Sequence, residues 1–186
     1  MKVIFIIGPQ AVGKMTIGEQ ISKQSGVPLL YNHMTKDVLV PFVGWGEQNN
    51  QLSDKIRLDI FDTIASNPKN PGIIFTVVIN FGNPEDKAVL DHYEAAFTKH
   101  GVDVHFIELE ADLEERLRRN KTEHRMEMKP VKRNLEFSEN EILDSVHKNR
   151  LASLPGEMDG KHYLRLDVTN LSAEEAAEKI VEFVGE

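Results

Sequence analysis

Short, almost wholly apolar runs alternate along the chain with longer stretches in which apolar residues return every three or four positions. The first run, Val3-Ile4-Phe5-Ile6-Ile7, is continuous enough to be a strand buried on both faces. Behind it, Ile17 and Ile21 share one face of a helix expected over 14–25, with Gly26 as its left-handed stop. Residues 28–31 make a short second strand. An irregular stretch at 44–50, rich in glycine and amide side chains, leads to a helix over 51–66. That helix carries Leu52, Ile56, Ile60 and Ile64 at spacing four, with Arg57, Asp59 and Asp62 elsewhere on its circumference. The run from Ile73 to Ile79 is β-branched and unbroken, which marks a central strand of a parallel sheet. Asn83-Pro84-Glu85 opens a helix that ends near Gly101, and a fourth strand follows at 102–109. Asp112 caps a helix through Asn120, Ser138-Glu139-Asn140-Glu141 opens another, and a fifth strand lies at 163–166. The capping box Ser172-Ala173-Glu174-Glu175 starts the last helix.

Strands that alternate with helices require right-handed crossovers, so the expected fold is α/β, a three-layer sandwich around a five-stranded parallel sheet, in one domain over 1–186. Ligands of such sheets bind beyond the C-terminal strand ends. The loop after Ile7, the Asn32 region, Asn80-Phe81 and Asp112 all fall at that edge.

The loop after Ile7 reads Gly8-Pro9-Gln10-Ala11-Val12-Gly13-Lys14-Met15-Thr16, between a strand and a helix. In that setting it is a phosphate-binding P-loop. Its glycines let successive N–H groups turn inward around an anion at a helix N-terminus, and Lys14 reaches the β- and γ-phosphates. The position after the lysine ordinarily carries Ser or Thr, whose hydroxyl binds Mg²⁺. Here it is Met15, and the hydroxyl comes one place later at Thr16.

Composition narrows the partner. Acidic side chains outnumber basic ones 30 to 22, for a net charge of −8, which disfavours a nucleic-acid partner and points to a small molecule. The chain has no cysteine, so disulfides, thiolate metal sites and thiol nucleophiles are excluded. The N-terminal apolar run is too short to span a membrane. A cytoplasmic protein, monomeric or homodimeric, is expected.

Against this acidic background, Arg116, Arg118, Arg119, Lys121, Arg125, Lys129, Lys132 and Arg133 concentrate positive charge. Asp112–Arg116, Glu114–Arg118 and Glu115–Arg119 are spaced for helical surface ion pairs, which suffices for Arg118 as well as function does. For Arg116, Arg119, Arg125 and Arg133 the expected role is to close over a transferring phosphoryl group, with 120–136 as a mobile basic lid.

With these residues in view, the chain resembles the nucleoside/nucleotide-kinase and shikimate-kinase branch of the P-loop NTPases over nearly its full length. It is most similar to a bacterial group with Gly-Lys-Met-Thr in the loop and Asn-His-Met-Thr after the second strand, described as ATP-binding or shikimate-kinase-like. The resemblance implies ATP and Mg²⁺, with Gly8, Gln10, Ala11, Val12, Gly13, Lys14, Met15 and Thr16 around the phosphates and Thr16 on the α-phosphate. It places Asp167 to Asn170 near adenine and an acceptor in an excursion over 33–67. Two positions depart from it. Shikimate kinases carry a carboxylate pair where this chain has Asn32-His33, and Met15 removes the usual Mg²⁺ ligand, leaving water, the nucleotide phosphates and another carboxylate to hold the metal.

Asn32, His33, Asp37 and Arg57 are the candidate acceptor residues. His33 suits orienting or deprotonating an acceptor hydroxyl, or is a polar strand-end residue. Asp37 is an alternative base or metal carboxylate, or a helix-start residue, and Arg57 grips an anionic acceptor or lies on a solvated helix face. Trp45 stacks on the acceptor or anchors its own loop. The function expected is an ATP-dependent small-molecule kinase, with Lys14, the lid arginines and His33 in catalysis. Its alternatives are a nucleotide-binding regulatory module with little turnover and an antibiotic-modifying kinase.

Overall fold

The computed structural model describes residues 1–122 and 135–185. Five strands, β1 (Lys2–Ile7), β2 (Leu29–Tyr31), β3 (Gly72–Val77), β4 (Val104–Glu110) and β5 (His162–Asp167), form one sheet in the order β2-β3-β1-β4-β5. Every neighbouring pair is parallel. The C-terminal ends of all the strands therefore open on one edge. The expected α/β sandwich is present, with β3 an interior strand buried along its length and β1 beside it in the middle.

Alternate residues of β1 face opposite layers. Val3, Phe5 and Ile7 join Phe61, Phe75, Tyr93, Phe97 and Phe106 beneath α3 (Glu47–Ala65) and α4 (Pro84–Thr98). Ile4 and Ile6 join Ile17, Ile21, Ile74, Ile107, Ala177 and Ile180 beneath α1 (Lys14–Ser25) and the last helix (Ala173–Gly185). Phe5 is ringed by Phe61, Phe75, Phe97 and Phe106 at 5.6–5.9 Å, mostly edge to face, so the sheet is fixed through its centre. β3 must begin with glycine: at Gly72 φ is 118°, and a Cβ there would stand 1.8 Å from the Lys2 carbonyl oxygen.

Local capping explains several boundaries. Asn83 accepts from Glu85 N at 3.0 Å at the start of α4. Ser172 and Glu175 close the reciprocal box, with Glu175 N donating to Ser172 Oγ at 3.1 Å and Ser172 N to Glu175 Oε2 at 2.8 Å. Asp112 occupies the N-cap of α5 (Leu113–Asn120), yet its side chain makes no cap bond.

Three elements differ from the sequence reading. A helix, α2 (Asn32–Val43), starts directly at the end of β2. Residues 47–50, expected as loop, are the first turn of α3, and its buried positions are Asn49, Ser53, Arg57, Phe61 and Ala65, not the Leu52-Ile56-Ile60-Ile64 stripe. The helix α6 (Leu135–Lys148) begins before the presumed cap Ser138, which is buried and donates to Asn120 Oδ1 at 2.8 Å. With Ala173–Gly185 as α7, the helix order is complete among the described residues. None of these helices is long and apolar enough to cross a membrane.

Candidate functional site

A cleft of about 1070 Å³ opens along the C-terminal edge of the sheet. Residues 10–17 form its floor, α2 and Trp45 one wall, and residues 169–173 the other end, with the α5 side chains Glu115, Arg118 and Arg119 between. The loop sequence, the proposed acceptor residues and the turn after β5 thus share one space.

The loop conformation is held from outside by cations. Lys14 Nζ donates to the carbonyls of Gly8 and Pro9, each at 2.7 Å. Arg116, buried, donates from Nε to the Gln10 carbonyl at 2.9 Å, and Arg119 donates from Nη1 to the Val12 carbonyl at 2.7 Å. The planar peptide points each N–H opposite to its carbonyl, so the N–H groups of Gln10, Ala11 and Gly13 are turned away from these cations. None of those N–H groups has an acceptor among the described residues. Left-handed backbone at Ala11 (φ 61°) and Gly13 (φ 108°) makes this possible, and Gly13 caps α1 without a side-chain bond. Gly8 can be nothing larger, because a Cβ would lie 2.4 Å from the Leu109 carbonyl oxygen. The result is a cradle of amide donors at a helix N-terminus, the chemistry that fits a phosphate chain.

Arg119 does more than brace the loop. Its Nη2 donates to the Val168 carbonyl at 2.6 Å and its Nε to Glu115 at 2.7 Å, so one guanidinium ties the P-loop to the turn after β5. Arg118 pairs with Glu115, not Glu114, at 2.6 and 2.7 Å. The Arg118 hydrogen bonds, opposed by burial and helped by Arg119, hold the Glu115 carboxyl down to about 2. Arg116 and Arg119 thus stand on α5, behind and beside the loop. Arg125 and Arg133, with Lys129 and Lys132, lie outside the described residues, as does most of the 120–136 segment read as a lid.

On the α2 wall, Asn32, His33, Lys36 and Asp37 face the cleft. His33 Nδ1 lies 4.0 Å from Asp37 Oδ1, one helical turn on. Arg57 is not a lining residue. It is 3% exposed, and its Nε donates to Thr35 Oγ1 (3.0 Å), its Nη1 to Asp54 Oδ1 (2.7 Å) and Tyr93 OH (3.1 Å), and its Nη2 to the Asn32 carbonyl (2.8 Å). Burial pushes the Tyr93 phenol well above its ordinary value. Instead of lying on a solvated helix face, Arg57 pins the start of α2 against α3 and α4. Asn49 adds a second tie, donating to the carbonyls of Lys36 (3.1 Å) and Gly44 (3.0 Å).

At the far end of the cleft, Asp167 Oδ1 accepts from Thr169 N at 2.8 Å and Thr169 Oγ1 at 2.6 Å, and these bonds lower its pKa, the hydroxyl's contribution first. Asp112 N in turn donates to Thr169 Oγ1 at 3.0 Å. These bonds brace the turn, which presents Thr169, Asn170 and Leu171 to the cleft, while Asp167 is exposed and does not line it. Sequence reasoning missed several lining residues, Lys36 and Thr76 among them. Thr76 is buried at the end of β3 beneath the cleft. Lys36 was findable only from the helical face it shares with His33 and Asp37, and the sequence reading allowed a helix there only as one starting at Asp37, not at Asn32.

For Mg²⁺ the donor set is sparse. No group of three His, Asp or Glu side chains among the described residues has metal-site geometry. Met15 lines the cleft where a hydroxyl ordinarily stands, and the oxygen-bearing side chains that line the same cleft include Thr16, Asp37, Thr76, Glu115 and Glu141. Such a site fits an ion that keeps waters and takes most ligands from phosphate oxygens.

No protein-family model and no curated protein matches this chain. Solved structures do resemble its fold. Shikimate kinase from Acinetobacter baumannii in complex with shikimate is 16% identical, at a TM-score of 0.56, over 99% of this chain and 93% of that one. The APS kinase of Mycobacterium tuberculosis, in complex with AMPPNP and APS, is 12% identical, at 0.62, over 100% and 98%. The tunicamycin resistance protein of Deinococcus radiodurans is 19% identical, at 0.59, over 100% and 96%. The five-stranded parallel sheet with helices on both sides is the fold of the P-loop kinases.

Proposed function

We propose that the protein is an ATP-dependent small-molecule kinase that passes the γ-phosphoryl group of ATP to an acceptor lying against α2. The observation that carries this reading is the continuity of one cleft from the amide cradle of residues 10–13 to the His33–Asp37 pair. In it, the N–H groups of Gln10, Ala11 and Gly13 hold the β-phosphate, and Lys14 leaves the Gly8 and Pro9 carbonyls to meet the β- and γ-phosphates. Thr16 contacts the α-phosphate, and the base rests near Asn170 on the turn that Asp167 and Thr169 stiffen. Asp37 or His33 takes the proton from the acceptor hydroxyl, and Asn32 helps to orient that hydroxyl. Arg116 and Arg119 keep the loop's donors aligned, while Arg125 and Arg133 supply cations from the segment that follows α5.

Mg²⁺, when bound, neutralises the phosphate oxygens as charge develops during transfer. Thr16 and Asp37 are the residues suited to hold it. Acceptor-dependent ADP release from Mg-ATP, measured over a panel of nucleosides, hydroxy acids and antibiotics, tests the proposal. No acceptor dependence across the panel would refute it.

Met15 favours a second reading, a nucleotide-binding regulatory module with little turnover. Met15→Ser separates the two. The kinase reading expects the wild type to turn over with Mg²⁺ already, whereas the regulatory reading expects only the serine variant to do so.

A further inference from the structure

The α2 wall of the cleft carries a cation that its surroundings leave unbalanced. Lys36 is half-buried and lines the cleft, and its Nζ donates to the neutral amide oxygen of Asn50 at 2.7 Å. Among the described residues no carboxylate lies within ion-pair distance of it. The acids that act on it from further off are engaged elsewhere: Asp54 binds Arg57 at 2.7 Å, and Asp86 accepts from Asn80 N at 2.9 Å. Burial first, and then the Arg57 charge, hold its pKa below the ordinary lysine value. Two of the three N–H donors of this ammonium have no partner among the described residues, so an anion in the cleft can take the place of the water around them.

The position of Lys36 is fixed. Its carbonyl is held by Asn49, and the start of its helix by Arg57. His33, Lys36 and Asp37 stand at i, i+3 and i+4, on one face of α2, and all line the cleft. A ligand that meets both the His33–Asp37 pair and Lys36 therefore carries both a hydroxyl and an anionic group. One ammonium balances one unit of negative charge, which suits a carboxylate better than a phosphate dianion.

The geometry points to Lys36 as the residue that selects the acceptor, by pairing with the carboxylate of a hydroxylated acid whose hydroxyl lies at His33 and Asp37. The fate of that hydroxyl rests on the kinase reading; the carboxylate–ammonium pair rests on α2 alone.

Calorimetric titration of the full chain without nucleotide tests the pairing. Gluconate is a suitable probe because its chain offers hydroxyls at several distances from the carboxylate, with sorbitol as its neutral counterpart and sorbitol phosphate as the phosphate arm. Gluconate is expected to bind more tightly than either. Lys36→Met should weaken gluconate roughly 10- to 100-fold and abolish the preference over sorbitol, while Lys36→Arg keeps most of it. ADP affinity reports that each variant is folded. The inference is overturned if gluconate does not bind, if sorbitol binds equally well, if sorbitol phosphate binds more tightly, or if Lys36→Met leaves gluconate affinity unchanged. Gluconate binding that depends on Lys36, without phosphoryl transfer from Mg-ATP to any acid, would support the pairing and refute the kinase reading.

Discussion

Arg119 and Val12, 107 residues apart in sequence, meet through a 2.7 Å hydrogen bond from the guanidinium Nη1 to the loop carbonyl. The same side chain reaches Val168 on the other side of the cleft. A planar fork reaches two separated carbonyls from two different nitrogens, whereas an ammonium has all its donors on one nitrogen and bridges carbonyls only where, as at Lys14, they are adjacent. Arg119→Lys is therefore expected to loosen the loop and the turn after β5 together, weakening ADP binding roughly tenfold by calorimetry while the fold persists. Unchanged ADP affinity would mean that the loop holds its shape without the brace.

Arg57 gives an opposite expectation, loss of stability. Arg57→Met strips partners from Asp54, Tyr93, Thr35 and the Asn32 carbonyl in a buried setting. Breaking such a network costs about 3–5 kcal/mol, which for a chain of this size lowers Tm by roughly 6–20 °C. A variant with wild-type Tm and a raised acceptor KM would instead make Arg57 a direct acceptor ligand.

The acid limb of stability should carry the mark of Glu115. Its carboxyl is held at about 2 in the folded protein against an ordinary value of 4.5, so its contribution is present above about 4.5 and is lost as pH falls toward 2. Urea midpoints measured across that range should fall less steeply in Glu115→Gln. Arg118 is 69% exposed, so added salt should shrink the difference between the two proteins. Identical acid limbs would show that the pairing contributes nothing.

Met15→Ser places a hydroxyl beside the phosphates. If the kinase reading holds, the apparent Mg²⁺ requirement of turnover should fall by roughly the tenfold that one additional ligand interaction of about 1.4 kcal/mol gives. The Mg²⁺ dependence of initial rates measures it, and an unchanged requirement would show that residue 15 does not face the metal.

The loop was legible because its signal is local: Gly8 and Gly13 are required by backbone that a Cβ would obstruct or strain, and the strand before and helix after are written in contiguous residues. The sheet, the Asn83 cap and the Ser172–Glu175 box were legible for the same reason. The acceptor wall was not. Periodicity assumes that buried faces are apolar, whereas α3 buries Asn49, Ser53 and Arg57 while Leu52 stays 38% exposed. α2 inverts the pattern further, exposing Val38 and Phe42, burying Thr35 and carrying Pro41 in its last turn. The roles of Arg116 and Arg119 were also hidden. Their spacing to Asp112 and Glu115 suggested surface pairs or lid cations, and only the folded sheet brings them to the Gln10 and Val12 carbonyls.

The most direct measurement follows the label from γ-labelled ATP with Mg²⁺ into acceptor, for the wild type and for Lys14→Ala. Transfer to a hydroxyl-bearing acceptor by the wild type, falling by at least roughly 100-fold in Lys14→Ala as expected for loss of a charged phosphate contact, is the result this account predicts. Label that passes only to water, or transfer that survives Lys14→Ala unchanged, would contradict it.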